Sequence, residues 1–591
     1  MENRNTFIIS RGFRNYFASS ILLMIIEQVT AILDMILVGN FVCADAFSAL
    51  DLCLPVENLV HGVQLLLTGG AGIIASRHLG NQEFDKADKV LTVSMVSSAF
   101  IALVASIVAL TFLKPIVSLL CDDATLAPFL ESYLRIFFYG LVPMSVYISC
   151  SSILNVDGKP MTITVWASVS CSVDLILDVV LMKYLDLGIA GQAYATVISY
   201  IVPVIAFIPF LASRKSRYRF RLSGNRECWQ IFGSNISGGI SYSMPFVVSC
   251  LMLFVLNSIV LDKLGTDGLY VWSVGYQIFS VGLLFMDCLG GNILVTMGGM
   301  LAGCRDTIGL KSLLYRCLKI TGIGIGAFTL IVVLWPGIML KVFGMDPTLS
   351  VATAARDMRF MGIFLLPFCL ICIKTYFSLA VGHNRMALVS FTMLFLTIIA
   401  AVLIWAEINP QNMIAAIPAA GFLIAVVEAF LSRIVRKRKH PDYSPYFLIP
   451  ALSTDGTLYL SIPYTNEGRD SALNGLAQFV DQRNLPPSIG MGLNLCCEEL
   501  MFNIQENNAQ KGDGYFYDLF IIDDKNDIKV TVKDAGMPFN PIRKFEKLAG
   551  QAMLDDDENF DLSLQIVNSM CQELNYNYMY GQNVIFMTFR K

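Results

Sequence analysis

No Gly-x-x-x-x-Gly-Lys-Ser/Thr run occurs in the 591 residues. The chain therefore lacks the phosphate loop of the common ATP-driven motors, and ATP is not the expected energy source. Its one Cys-x-x-Cys, Cys369-Leu-Ile-Cys372, has no second pair to complete a zinc site and lies in an apolar run. The 15 cysteines include several in such runs, among them Cys150, Cys171 and Cys250. They read as small buried side chains rather than a disulfide framework. Residues 1–10 are polar and show no cleavage site after a short apolar core, so no removable signal peptide is expected. The soluble end has no basic stripe, which argues against a nucleic-acid partner.

What is present is apolar length. Hydrophobic residues make up 55% of the chain and charged ones 15%, and the excess is concentrated before residue 440. Residues 441–591 have ordinary soluble composition, with 21 Asp+Glu against 11 Lys+Arg, a formal charge of −10. The whole chain is −4, so the remainder carries +6. A helix needs about 20 apolar residues to cross a bilayer. Twelve such stretches are expected, near 16–40, 52–76, 90–113, 130–154, 161–184, 189–213, 231–260, 269–300, 315–340, 358–381, 386–406 and 411–432. Lys and Arg concentrate in the loops of one side, including Arg214-Lys-Ser-Arg-Tyr-Arg-Phe-Arg221 and Arg436-Lys-Arg-Lys439. By the positive-inside rule that side is cytoplasmic. The expected protein is multi-pass in the plasma (inner) membrane, with both termini in the cytoplasm.

The fifth stretch holds Asp174-Leu-Ile-Leu-Asp178, two carboxylates on one helix face. A charge inside lipid is expensive and by default marks an ion or substrate pathway. Asp34 lies in the first stretch, and Glu27 lies two helical turns before it on the same face. The alternatives are a buried structural pair for Asp34 and Asp178 and an interhelical hydrogen bond for Glu27. An internal repeat also appears at an offset of about 223. Leu79-Gly80 after span two matches Ala302-Gly303 after span eight, and Asp157-Gly-Lys-Pro-Met161 matches Gly382-His-Asn-Arg-Met386. Six spans repeated in the same order imply two lobes that can rock about a midplane site. The second lobe has no comparable acid cluster; Asp287, Lys374 and Glu428 read as isolated.

Asp34-Met-Ile-Leu-Val-Gly39, the run ending Gly-Gly-Ala-Gly-Ile-Ile-Ala-Ser-Arg-His-Leu-Gly80, Asn155-Val-Asp-Gly-Lys-Pro160 and Asp174 to Thr196 resemble the multidrug and toxic compound extrusion (MATE) family over about residues 10–440. The resemblance implies an all-α membrane protein of twelve transmembrane helices in two six-helix lobes, residues 1–225 and 226–440. It also implies export of cationic or amphipathic organic compounds against entering Na⁺ or H⁺. On the family pattern, the ion-coupling positions fall on Asp34, Asp174, Asp178 and Thr196. Asp174 stands where the family often has Asn, which leaves sodium and proton both open. Leu22 stands where many members carry a proline in span one.

After a linker at 441–454, residues 455–591 read as strand, two helices, two strands, helix and two strands. The expected strands are 456–463, 515–523, 527–533, 574–580 and 583–590, and the expected helices 467–482, 487–508 and 561–573. Helices grouped between antiparallel strands indicate a soluble α+β sandwich. Glu498-Glu499-Leu-Met-Phe-Asn503, Asp534-Ala-Gly-Met-Pro-Phe-Asn-Pro541 and Gly581-Gln-Asn583 together resemble the anti-sigma-factor serine kinases of the histidine-kinase-like ATPase superfamily. The resemblance implies ATP and Mg²⁺ as cofactors, with Asn503 as the metal ligand. Glu499 would be the catalytic proton acceptor, Asp534 the adenine reader and Gly536 the point of close backbone approach. The family's Gly-rich turn is missing: its place falls at Phe560-Asp561-Leu-Ser563-Leu564, downstream of Asp555-Asp-Asp-Glu558. The expected partners are a small organic substrate, the lipid bilayer and a cytosolic protein. Two alternatives stand: a membrane-bound signalling kinase whose spans sense a ligand, and a scaffold with an inactive ATPase fold.

Overall fold

The computed structural model describes residues 6–591 except 121–124, 213–215, 223, 338–350, 440, 442, 450–455, 509–514, 525, 539, 541–566 and 568–569. It divides into two compact units. One comprises Phe17–Gly303 and Leu314–Pro450; the other comprises Met1–Tyr16, Cys304–Leu313 and Ala451–Lys591.

The first unit's regular elements are all helices among the described residues. Its elements in order are α1 (Phe7–Phe41, whose first turns belong to the other unit), α2 (Ala44–Gly80), α3 (Phe84–Thr111), α4 (Leu113–Leu120), α5 (Ala127–Tyr139), α6 (Leu141–Val156) and α7 (Pro160–Asp178). They continue with α8 (Ile189–Ala212), α9 (Asn225–Met286), α10 (Val295–Gly303), α11 (Thr307–Leu334, whose residues to Leu313 belong to the other unit), α12 (Val351–Val381), α13 (Asn384–Ile408) and α14 (Ala416–Lys439). Among the described residues ten helices are long and apolar enough to cross a membrane, or eleven if α5 and α6, bent by 53° against each other, form one span. α1, the expected first span, stands outside that count as a continuous 35-residue helix. α9 carries two spans, because at Gly265 the backbone takes φ 69° and ψ −165°, a left-handed excursion that leaves helical geometry.

The glycine-rich end of α2 has a packing reason. A Cβ on Gly70 would lie 2.1 Å from the Asn235 carbonyl oxygen, and one on Gly239 would lie 1.5 Å from the Leu66 carbonyl oxygen. α2 and α9 therefore cross backbone to backbone. Small residues permit this where lipid supplies no hydrophobic drive for helices to associate. The Asn155–Pro160 loop is also explained. Buried Asp157 accepts from Ser216 Oγ (2.9 Å) and the Arg217 backbone N–H (3.1 Å), and Lys159 pairs with it at 3.0 Å. Arg217 reaches on to Asp88 at 3.0 Å. The basic loop after α8 is thus fastened to two buried carboxylates.

In the second unit, five antiparallel strands run in the order β1-β2-β3-β5-β4: β1 Thr457–Pro463, β2 Phe516–Asp523, β3 Asp527–Asp534, β4 Glu573–Met579 and β5 Gln582–Arg590. Helices α15 (Asn466–Gln482) and α16 (Pro487–Asn507) lie between β1 and β2 in sequence. Thr465 caps α15 by accepting from the Gly468 N–H, and Pro487 opens α16 in its first turn, where no N–H is needed. Leu476, Phe479, Leu493, Cys497 and Leu500 bury against Leu519, Ile521, Val530, Ile585 and Met587. Phe520 and Ile522, pointing the opposite way, pack with Cys304. β2 is thereby covered on both faces, which is why it reads as an almost unbroken apolar run. The expected helix at 561–573 and the acidic stretch before it lie largely outside the described residues.

Candidate functional site

α7 places Asp174 and Asp178 one turn apart, and both are buried. Directly after Asp178 the backbone winds into a π-helical stretch, Val179–Tyr184, a departure that often accompanies functional sites. α1 brings Asp34 to Asp178, and their carboxyls meet within hydrogen-bonding reach. Neither Asp178 oxygen, nor Oδ1 of Asp34 or of Asp174, finds a hydrogen-bond donor among the described residues. Two carboxyls in contact without a donor require a proton or a cation between them. From α8, the Thr196 and Ser199 hydroxyls reach Asp174. Thr196 also donates to the Gln192 carbonyl at 3.2 Å.

Glu27 is exposed. It lies within electrostatic reach of Cys171, which also feels Asp174 and Asp34, so it extends the cluster. It also faces Asp287 of the second lobe. The structure therefore brings together all five membrane residues singled out from sequence. It adds others that were missed. Tyr147 and Tyr200 have ring centroids 5.5 Å apart. Both lie within reach of Glu27, and Tyr200 is also near Asp174 and Glu57. Glu57 of α2 accepts from the Tyr133 hydroxyl at 2.7 Å. An acid within an apolar run was the signal available for Glu57; nothing in the sequence marks the tyrosines, which resemble packing residues.

In the second lobe one expectation is corrected. Lys374 and Glu428 are not isolated: they form an ion pair at 3.0 Å with side chains 1% and 2% exposed. Lys374 also donates to the Glu428 carbonyl (3.3 Å) and lies 4.8 Å from the centre of the Tyr446 ring. Sequence separation of 54 residues hid the pairing, since α12 and α14 meet only once folded.

Residues 19–180 match the MatE family model. That stretch holds Asp34, Asp174 and Asp178 but stops before Thr196. The multidrug export protein MepA of Staphylococcus haemolyticus (strain JCSC1435) is 24% identical over 261 residues, 44% of this chain and 56% of that protein. MepA of Staphylococcus aureus (strain bovine RF122 / ET3-1) is 27% identical over 184 residues, 31% of this chain and 41% of that one. The chain thus spans about half the length of the curated relatives it matches. Among solved structures, a MOP superfamily transporter from Pyrococcus furiosus superposes with TM-score 0.65 at 17% identity, covering 72% of this chain and 97% of that one. An outward-facing MATE transporter gives TM-score 0.65 at 16% identity with the same coverage. The membrane part of this chain has the MATE fold. Within it, the acid cluster occupies the first lobe, and no cluster of three or more His, Cys, Asp or Glu fit to hold a metal ion occurs among the described residues.

In the tail, Asn503 of α16 is buried. Its amide N–H donates to the Glu499 carbonyl at 2.9 Å, and its amide oxygen has no partner among the described residues. A buried, unused oxygen is a suitable magnesium ligand. Glu499, one turn earlier and half-buried, can accept a proton. Asp534 ends β3. One oxygen accepts from the Gly536 N–H (2.9 Å) and the Tyr464 hydroxyl, and the other accepts from Asn583 Nδ2 (2.8 Å). A carboxylate has about four acceptor positions, so roughly one remains for an adenine amino group. Burial and the neighbouring Asp534 together push the Tyr464 hydroxyl well above its ordinary pKa. At Gly536 a Cβ would lie 2.2 Å from the Asn508 side chain, so this bend stays open only for glycine. These residues fit an ATP–magnesium site. The stretch expected to face the phosphates lies outside the described residues.

Proposed function

We propose that the membrane part is a proton-coupled antiporter expelling organic cationic or amphipathic compounds. The carrying observation is the Asp34–Asp178 contact, in which neither Asp178 oxygen has a hydrogen-bond donor among the described residues. Two unit charges about 4 Å apart at an effective dielectric near 20 repel by about 4 kcal/mol. That is nearly three powers of ten in occupancy, so the pair does not stay doubly ionised unless a positive charge neutralises it. A proton and an organic cation then compete for the same negative site, and competition of this kind is the basis of exchange. Multidrug export by the MepA relatives is in keeping with this reading.

Gradient-driven dye export in proteoliposomes tests it. Asp34→Asn and Asp178→Asn should each abolish export driven by a pH gradient while leaving the protein folded. Near-normal flux in both variants would refute the assignment, and flux that follows a sodium gradient but not a pH gradient would replace the proton with sodium.

For the tail we propose a histidine-kinase-like ATPase domain in the cytosol, sensing nucleotide or phosphorylating a protein partner. Asn503 would hold Mg²⁺, Asp534 and Gly536 would receive adenine, and Glu499 would accept the proton of an attacking hydroxyl. Magnesium would supply charge neutralisation of the phosphates. Full-length protein should bind ATP with magnesium, and Asp534→Asn should weaken binding about ten- to a hundredfold, the value of one hydrogen bond to a charged group. Glu499→Ala should retain binding and lose any phosphotransfer. Absence of ATP and ADP binding by folded protein would favour the scaffold reading. The cytoplasmic placement in the plasma membrane rests on the basic loops; extracellular activity of a reporter fused after Lys591 would reject it.

A further inference from the structure

The tail's unit includes the chain's own N-terminus. Ile8, Ile9, Phe13 and Tyr16 are all 5% exposed or less. The Tyr16 ring lies 5.3 Å from that of Tyr580, and the Gln582 side-chain amide donates to the Ile8 carbonyl at 2.5 Å. These contacts seat the first turns of α1 at the end of the sheet where Asp534 pairs in register with Asn583 and Tyr517.

On another face of the same turns, Phe7, Ser10, Arg11 and Arg14 follow the i, i+3, i+4, i+7 spacing. Together with Tyr515 they line a cavity of about 230 Å³. At roughly 30 Å³ per water this holds a phosphate group and part of its ester. Its polar lining consists of donors: two guanidiniums and a hydroxyl, with no carboxylate. Arg11 and Arg14, one turn apart, repel each other. Neither forms an ion pair with a carboxylate among the described residues. Phe7 and Tyr515, 5.4 Å apart edge to face, form the apolar wall. The Tyr515 ring neighbours that of Tyr464, whose hydroxyl donates to Asp534.

We propose that this cavity is a phosphate-binding site, with Arg11 and Arg14 gripping the oxygens through paired N–H groups and Ser10 adding a third donor. The group can arrive in two ways. Arg14 precedes the membrane unit by three residues, so a phospholipid headgroup can supply it; a free phosphate or nucleotide can enter from the aqueous side. The inference does not depend on the tail being an ATPase.

The test uses full-length protein in nanodiscs and labelled inorganic phosphate as probe. In phosphatidylcholine discs the wild type should bind phosphate, and the double variant R11Q/R14Q should bind at least tenfold more weakly. R11K/R14K, which keeps charge but loses the fork, should fall between them. Phosphatidylglycerol in the disc should displace the label if a lipid is the natural source, and should leave it in place if a soluble phosphate is. Should the double variant fail to fold, Arg14→Gln alone, at an exposed position, carries the same test. Equal phosphate binding by the wild type and the glutamine variants, or no binding by the wild type in either disc, would overturn the proposal.

Discussion

Removing one member of the Lys374–Glu428 pair should cost far more than removing both. The two charges sit on helices α12 and α14 within the membrane part, 3.0 Å apart and almost wholly buried. Lys374→Met leaves the Glu428 carboxylate without a counter-charge, and its Oε1 already lacks a hydrogen-bond partner among the described residues. It also removes the cation from beneath the Tyr446 ring. Breaking a buried pair from one side typically costs about 3–5 kcal/mol, because the remaining charge stays desolvated. Glu428→Leu should cost a similar amount, since it strands the ammonium. In the double variant Lys374→Met/Glu428→Leu no charge is left to solvate, and apolar replacement of such pairs is often neutral or stabilising, by about 1–4 kcal/mol. The expected coupling between the two sites is therefore several kcal/mol, well beyond the roughly 0.5 kcal/mol error of additivity. Buried cysteines, Cys369 and Cys372 among them, let unfolding of purified protein in detergent be followed by reaction with a thiol dye. Single variants that each melt like wild type, or a double variant that loses the sum of the two single costs, would refute the reasoning.

Gly239→Val should disrupt the crossing of α2 and α9, because even its Cβ would overlap the Leu66 carbonyl. Overpacking usually costs about 1–3 kcal/mol and more where backbone must move; a variant melting like wild type would show that the crossing is looser than described. Asp523 pairs with Arg483 (2.8 Å) and Lys591. Burial raises its pKa, but the bonds from Lys591 and Arg483 outweigh that and hold it below the ordinary value. A depressed carboxylate stabilises the fold above its unfolded pKa, about 3.9, and loses that contribution as pH falls through the folded value. Asp523→Asn should therefore destabilise the tail at pH 7 and make little difference near pH 2. Equal melting gaps at both pH values would remove the linkage.

Much of this architecture was legible because two patterns are strong. Period-two alternation in 456–463 and long apolar runs before 440 report local geometry directly. Register also follows: Leu519 and Ile521 meet the helices, while Phe520 and Ile522 face the other way. The acids Asp34, Asp174 and Asp178 were visible because a carboxylate in an apolar span is costly wherever it lies. What stayed hidden depends on pairing between distant segments. Tyr200 gains its place from Glu57 and Glu27, and Arg11 gains its place from Tyr515, more than 500 residues away. The break inside α9 was legible, since Asp262-Lys-Leu-Gly-Thr-Asp-Gly268 interrupts the apolar pattern between the spans expected at 231–260 and 269–300.

The internal repeat makes the difference between the lobes informative. Two repeated halves, as the sequence repeat implies, would begin with equal opportunity to hold charge, and the chain holds it differently in each. Lobe two has matched Lys374 to Glu428, a pair that needs neither a proton nor an ion and gains nothing from exchanging one. Another of its acids, Asp287, faces Glu27. Lobe one gathers Glu27, Asp34, Asp174 and Asp178 with no basic side chain paired to any of them among the described residues. A site can drive exchange only if its charge is unfinished in one state and completed in another. On the proposed antiport, the exchangeable positive charge would belong at Asp34, Asp174 and Asp178, while the self-neutralised Lys374–Glu428 pair ties α12 to α14.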